Sequence, residues 1–127
     1  MKEKRLDLLT VLLVEDIDDT RYFMRLELEE RGYRVIEAED GEKAVEMAVS
    51  ERPDIILMDL SLPVMDGLSA AELIRQDAHL RDIPIVAVTA HQETDYRAHA
   101  QHSGFSAYAT KPVDFDWLND LLDSLLS

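Results

Sequence analysis

Three carboxylates, a hydroxyl and an ammonium follow short apolar runs in this chain: Glu15 and Asp16 after residues 11–14, Asp59 after 55–58, Thr89 after 83–88 and Lys111 after 107–109. In an open parallel sheet, ligands bind outside the carboxyl ends of the strands, so side chains at these positions would converge in one cleft. Carboxylates forced together repel, which raises their proton affinity unless a cation is present. A hard divalent ion resolves the conflict. Mg2+ takes oxygen ligands octahedrally and keeps several waters, which suits one or two carboxylates plus a phosphate. Calcium fits less well, because the chain has no Asp-rich loop closed by a Glu of the calcium-binding kind. The segment Glu15-Asp16-Ile17-Asp18-Asp19 is, by itself, an ordinary solvated turn that caps a helix. Asp59 adds weight because it ends a run that is apolar on both faces, where a charge persists only if it is paired or bound to metal.

The elements that must position these groups are visible in the hydropathy pattern. Runs at 11–14, 34–36, 55–58 and 83–88, and a weaker one at 107–109, predict five strands. The third and fourth are apolar on both alternating faces, as central strands buried on two sides should be. Asp18 or Asp19 is expected to cap a helix running to Arg31, with Phe23, Leu26 and Leu28 among its apolar residues and Gly32 as a left-handed stop. Ala44, Val45, Ala48 and Val49 form one helical stripe, Leu68, Ala71 and Ile74 a second, and Leu118, Leu121, Leu122 and Leu125 a third. Each is expected to pack on the sheet. Residues 92–103 offer only Tyr96, Ala98 and Ala100 as apolar contacts, so a helix there would be weakly held and prone to move. Strand and helix alternate five times. With right-handed crossovers, that predicts an α/β fold with a parallel five-stranded sheet covered by helices on both faces. Without repeats, low-complexity tracts or linkers, the chain reads as one domain over 1–127, with its core at about 9–126.

Composition removes several functions. Among 127 residues, 27 are Asp or Glu and 13 are Lys or Arg, a net charge of −14 that would repel a phosphate backbone, so direct nucleic-acid binding is not expected. No apolar run approaches the roughly 20 residues of a membrane span. Residues 1–10 mix Lys2, Lys4 and Arg5 with Glu3 and Asp7, unlike a signal peptide or anchor, so no membrane partner is expected. The absence of cysteine excludes disulfides, thiol nucleophiles and thiolate zinc sites, and makes a cytoplasmic location the expectation. His99 and His102, three residues apart, read as surface helix residues because no Asp or Cys with ligand spacing joins them.

Four segments together resemble the receiver domain of bacterial two-component response regulators: Val11-Leu-Leu-Val-Glu-Asp16, Met58-Asp-Leu-Ser-Leu-Pro-Val-Met-Asp-Gly67, Val88-Thr-Ala90 and Tyr108-Ala-Thr-Lys-Pro112. The resemblance spans about Leu9 to Leu126. It implies a flavodoxin-like (βα)5 fold with strand order 2-1-3-4-5, an order that strand alternation alone does not give. It implies that Asp59 accepts a phosphoryl group from a phosphohistidine on a sensor histidine kinase or phosphotransfer protein. Asp16 and Asp59 would bind Mg2+ (or Mn2+ in its place) through their carboxylates and Ser61 through its backbone carbonyl, with Glu15 holding a metal-bound water. Lys111 would pair with one phosphoryl oxygen and Thr89 with another. The Lys111–Pro112 bond is expected to be cis, and Gly67 to begin the third helix. Tyr108 matches the family's switch aromatic, and is otherwise an edge-strand tyrosine with a solvated hydroxyl. Ser61 and His91 occupy the two variable positions that flank the path of hydrolytic water in the family.

Two other classes share parts of this pattern. A hydrolase with an aspartyl-phosphate intermediate would need a second Asp two residues after the nucleophile, where Ser61 stands. A flavin-binding module would need hydroxyl- and glycine-rich phosphate contacts after the first strand, where the acidic turn stands. The favoured reading is therefore a signalling module that performs its own phosphotransfer and slow autodephosphorylation without being a turnover enzyme. The chain ends one helix after Lys111, so it reads either as a stand-alone regulator or as a receiver cut from a longer protein, with Met1 at its start and the closing Leu-Leu-Ser on the side of the first. Output to an effector protein or a homodimer would then use the surface of the fourth helix, fifth strand and fifth helix, about Glu93 to Ser103, Ser106 to Ala109 and Asp114 to Leu126. Trp117, beside the last leucine stripe, is either an anchor for that partner or a residue covering the rim of the core.

Overall fold

The carboxyl ends of five parallel strands line up along one side of the molecule, because every strand is followed by a helix that returns the chain to the opposite side. The computed structural model describes residues 8–90 and 94–127, the side chains of 94–97 excepted. In order, the elements are β1 (Thr10–Val14), α1 (Asp18–Glu30), β2 (Arg34–Ala38), α2 (Gly41–Glu51), β3 (Ile55–Met58), α3 (Gly67–Gln76), a 3-10 turn (Ala78–Leu80), β4 (Ile85–Thr89), α4 (Thr94–His102), β5 (Ala107–Thr110) and α5 (Phe115–Leu126). The sheet order is β2-β1-β3-β4-β5, all parallel, as the resemblance implied.

Strand alternation divides the core in two. Leu12, Val14, Ile56, Met58, Ile85 and Ala87 face α2, α3 and α4, where Ala44, Ala48, Ala71, Ile74 and Ala100 pack on them. Val11, Leu13, Ile55, Leu57, Val86 and Val88 face α1 and α5, meeting Met24, Leu28, Leu118 and Leu122. The three stripes predicted for α2, α3 and α5 therefore do cover the sheet, although Val49 is exposed at its edge. In α1 the expectation needs correction. Met24 and Leu28, four residues apart, form the buried stripe, whereas Phe23 and Leu26 are 53% and 43% exposed. The cap also differs: Ile17 is the N-cap and makes no side-chain cap bond, while Asp18 and Asp19 lie in the first turn, where carboxylates favour the positive end of the helix dipole. Gly32, at φ +98°, follows the helix in the left-handed region as expected.

Several strand limits differ from the apolar runs, with β1 starting at Thr10 and β2 reaching Ala38, and one difference has a simple reason. β4 starts at Ile85 because Pro84 has no N–H to offer the ladder; its carbonyl instead accepts from Ile56 N at 3.0 Å. β4 then includes Thr89, and β5 reaches Thr110. At the opposite end of the sheet from the acidic groups, the Arg75 guanidinium ties the end of α3 to the turn after α4, donating to the Gly104 carbonyl at 2.7 and 3.0 Å and to the Leu80 and Ile83 carbonyls at 2.9 and 2.6 Å.

Candidate functional site

Burial decides where charge can stand in this cleft. Glu15, directly after β1, is 1% exposed, and Asp59, directly after β3, is 7% exposed. Their backbones extend the sheet ladder: Glu15 N donates to the Ala38 carbonyl and Asp59 N to the Val14 carbonyl, both at 3.1 Å. The two carboxylates thus stand on neighbouring strands, at the point where strand order reverses between β1 and β3. Asp16, one residue further, is exposed. Oxygens of Glu15, Asp16 and Asp59 lie within 4.8 Å of one another.

Lys111, directly after β5, closes the group. Its Nζ donates to Glu15 Oε1 at 2.6 Å and to Asp59 Oδ2 at 2.8 Å. The second oxygen of each carboxylate receives a backbone donor: Ile17 N to Glu15 Oε2 at 3.1 Å, and Ser61 N to Asp59 Oδ1 at 2.9 Å. Burial raises the Glu15 pKa above the ordinary glutamate value, and the bonds from Lys111 and Ile17 only partly offset it. Burial alone would lower the pKa of Lys111, but the bonds to Asp59 and Glu15 outweigh it and hold the ammonium above the usual lysine value.

Of the other expected residues, Thr89 and Gly67 stand at the same end of the sheet. Thr89, 1% exposed, ends β4, and its carbonyl accepts from Lys111 N at 2.8 Å, so the two residues are locked in register. The Lys111–Pro112 peptide is cis. Gly67 opens α3 behind an Asp66 cap that accepts from Ser69 N at 2.8 Å. Tyr108, on β5, is half-buried against the core cluster on the α2–α4 side. Trp117, in the first turn of α5, is 49% exposed. His91 and Glu93 fall outside the described residues.

Three features at the site were not read from the sequence. Arg21 of α1 donates to the Glu15 carbonyl at 2.7 Å. Val64, in the loop after Asp59, has φ +69° and is 76% exposed. Gly67 packs against the backbone of Asp59 itself. The first had a signal in an arginine one turn into the helix after an acidic turn; the other two depend on backbone contacts that residue types do not announce.

The donor set fits a hard divalent cation. It is all oxygen, it holds three carboxylates against a single described ammonium, and the buried Glu15 resists ionisation without further positive charge. Among the described residues no helix is long and apolar enough to cross a membrane.

Known proteins share this fold. The family model for the response regulator receiver domain matches residues 11–123. Protein PilH of Pseudomonas aeruginosa is 35% identical over 118 residues, covering 92% of this chain and 97% of the relative. The polar-differentiation response regulator DivK of Brucella anthropi is 33% identical over 117 residues, covering 92% and 95%. Among solved structures, the receiver domain of a sensor histidine kinase from Pseudomonas aeruginosa superposes with a TM-score of 0.88 at 36% identity, covering 94% of this chain and 98% of that one. That crystal structure has a magnesium ion coordinated in its active site cleft.

Proposed function

Because the chain belongs to the response regulator receiver domain family, we propose that Asp59 accepts a phosphoryl group from a phosphohistidine on a sensor histidine kinase or phosphotransfer protein. The observation that carries this reading is the Lys111 ammonium bridging Glu15 and Asp59 beside Asp16. A carboxylate is a weak nucleophile, so transfer depends on in-line positioning and charge neutralisation. The bonds from Ser61 N and Lys111 fix both oxygens of Asp59. In the reaction an Asp59 oxygen forms the new P–O bond, the P–N bond to the donor imidazole breaks, and the electron pair leaves with that nitrogen. Lys111 then follows a phosphoryl oxygen and Thr89 donates its hydroxyl to another. Asp16 and Asp59, with the Ser61 carbonyl, would hold Mg2+ or Mn2+, and Glu15 a water on it. When bound, the cation neutralises charge on the transferring group.

The product is a signal carried by shape. Movement of Thr89 toward the phosphoryl group would vacate space for Tyr108 to turn inward and so alter the face made by α4, β5 and α5. Support for a movable α4 comes from its described side chains, of which Ala100 is the one in the core. An effector protein or a second copy that prefers the altered face shifts the population toward it.

Intact-mass measurement with acetyl phosphate tests the first step. One phosphate adduct is expected with Mg2+ and none in chelator or on Asp59→Asn. An undiminished adduct in either control would overturn the assignment.

A further inference from the structure

Arg21 is largely buried, with 14% of its side chain exposed, and it reaches three acceptors on separate segments. Nη1 donates to the Glu15 carbonyl at 2.7 Å, Nη2 to Asp18 Oδ1 at 2.6 Å, and Nε to Glu37 Oε1 on β2 at 3.1 Å. The first contact is the informative one. The Glu15 carbonyl belongs to the planar peptide that joins Glu15 to Asp16, so the atom held by Arg21 sets the plane from which Asp16 leaves the strand. The Glu15 N–H is already fixed by Ala38, and the Glu15 carboxylate fixes Ile17 N. Arg21 therefore restrains a peptide group of this turn that the sheet ladder does not.

We propose that Arg21 is a positioning residue for divalent-cation binding: its guanidinium, braced by Glu37 and Asp18, holds the Glu15–Asp16 peptide so that the Asp16 carboxylate faces those of Glu15 and Asp59. This rests on the acidic cluster being the Mg2+ site. A guanidinium suits the task because its planar fork reaches several acceptors at fixed angles, which an ammonium does not. Its charge works in the other direction. A cation close to a cation site weakens binding by repulsion, so loss of Arg21 through charge alone would tighten Mg2+ binding, whereas loss of its positioning weakens it. The two roles differ in sign.

Arg25 supplies the control. It lies one turn further along α1 and its Nε is 3.0 Å from Oε2 of the same Glu37. The bonds to the Glu15 carbonyl and carboxylate come from Arg21, Ile17 and Lys111.

The experiment titrates Mg2+ calorimetrically into the full chain as wild type, Arg21→Ala, Arg21→Lys and Arg25→Ala, with a melt of each in chelator. Arg21→Ala should bind Mg2+ roughly tenfold more weakly, Arg21→Lys should fall between it and wild type, and Arg25→Ala should stay within about twofold of wild type or bind more tightly. In an Asp16→Asn background, Arg21→Ala should add little, because the group it positions is gone. If Arg21→Ala fails to fold, Arg21→Lys carries the comparison. Mg2+ affinity unchanged or raised on loss of Arg21, or a loss matched by Arg25→Ala, would overturn the positioning role alone. A wild-type chain that binds no Mg2+ would overturn the metal reading and this role together.

Discussion

A Cβ placed on Gly67 would stand 2.4 Å from the backbone carbonyl oxygen of Asp59 and 2.9 Å from Leu60 Cα. The start of α3 is thus pressed against the residue that bears the candidate nucleophile, and the contact is backbone on backbone. Gly67→Ala should cost roughly 1–3 kcal/mol, because neither neighbour is a flexible side-chain end that can swing away. It should also slow phosphorylation from acetyl phosphate by displacing Asp59. Chemical denaturation and the rate of adduct formation would measure both; a variant with unchanged stability would show that the loop yields easily.

Asp16→Asn should raise metal-free stability while weakening Mg2+ affinity. One like charge leaves the cleft and one ligand leaves with it. Because Asp16 is exposed, the gain should be about 1 kcal/mol or less, as for charges near bulk water. The loss in affinity should exceed the roughly tenfold typical of removing an outer-shell partner. Melts in chelator and in Mg2+ check the two halves separately.

The raised pKa of Glu15 has a defined sign in the pH dependence of stability. The folded state holds this proton more tightly than the unfolded chain. Its contribution is therefore fully present below the ordinary glutamate pKa of 4.5 and is lost as pH rises through the higher folded value. Glu15→Gln mimics the protonated form at every pH. Without metal it should be more stable than wild type at neutral pH, and the gap should close as pH falls toward 4.5. Paired melts over that range would test this; a gap that widens on acidification would mean that the Lys111 bond dominates burial.

Trp117→Ala should cost only about 1 kcal/mol, well below the figure for a buried tryptophan, because half of the side chain is already in solvent. If Trp117 anchors a partner, the same substitution should abolish any self-association induced by beryllofluoride, a phosphoryl mimic. Sedimentation velocity of both proteins with and without the mimic would decide. Mimic-induced association undiminished in Trp117→Ala would mean that the side chain only covers the rim of the core.

Much of this was legible from residue types because the fold separates its tasks by position. β3 and β4 are buried on both faces, so they appear as unbroken apolar runs, and any charge at their ends stands out, as Asp59 does. Amphipathic elements were less clear. Phe23 and Leu26 are as apolar as Met24 and Leu28, and only the rotation of α1 about its axis separates the exposed pair from the buried one. Backbone contacts were least visible of all. The hold of Arg21 on the Glu15 carbonyl, the pressure of Gly67 on Asp59 and the positive φ of Val64 involve main-chain atoms shared by all residues. The turn at Val64, where Met65 N donates to the Pro63 carbonyl at 2.7 Å, carries no glycine or asparagine to mark it.

The strand order leaves β2 and β5 as the two margins of the sheet, each with a row of backbone groups open to a foreign strand. Both margins are blunted. β2 carries the exposed Arg34 and also Glu37, the latter clamped by Arg21 and Arg25, and charged side chains on an edge discourage strand addition. β5 is only four residues long and runs into the cis Lys111–Pro112 bond, whose proline offers no N–H to extend a ladder. Margins of this kind disfavour edge-to-edge strand addition, so a second chain that meets β5 would sit across it and the neighbouring helices instead of extending the sheet.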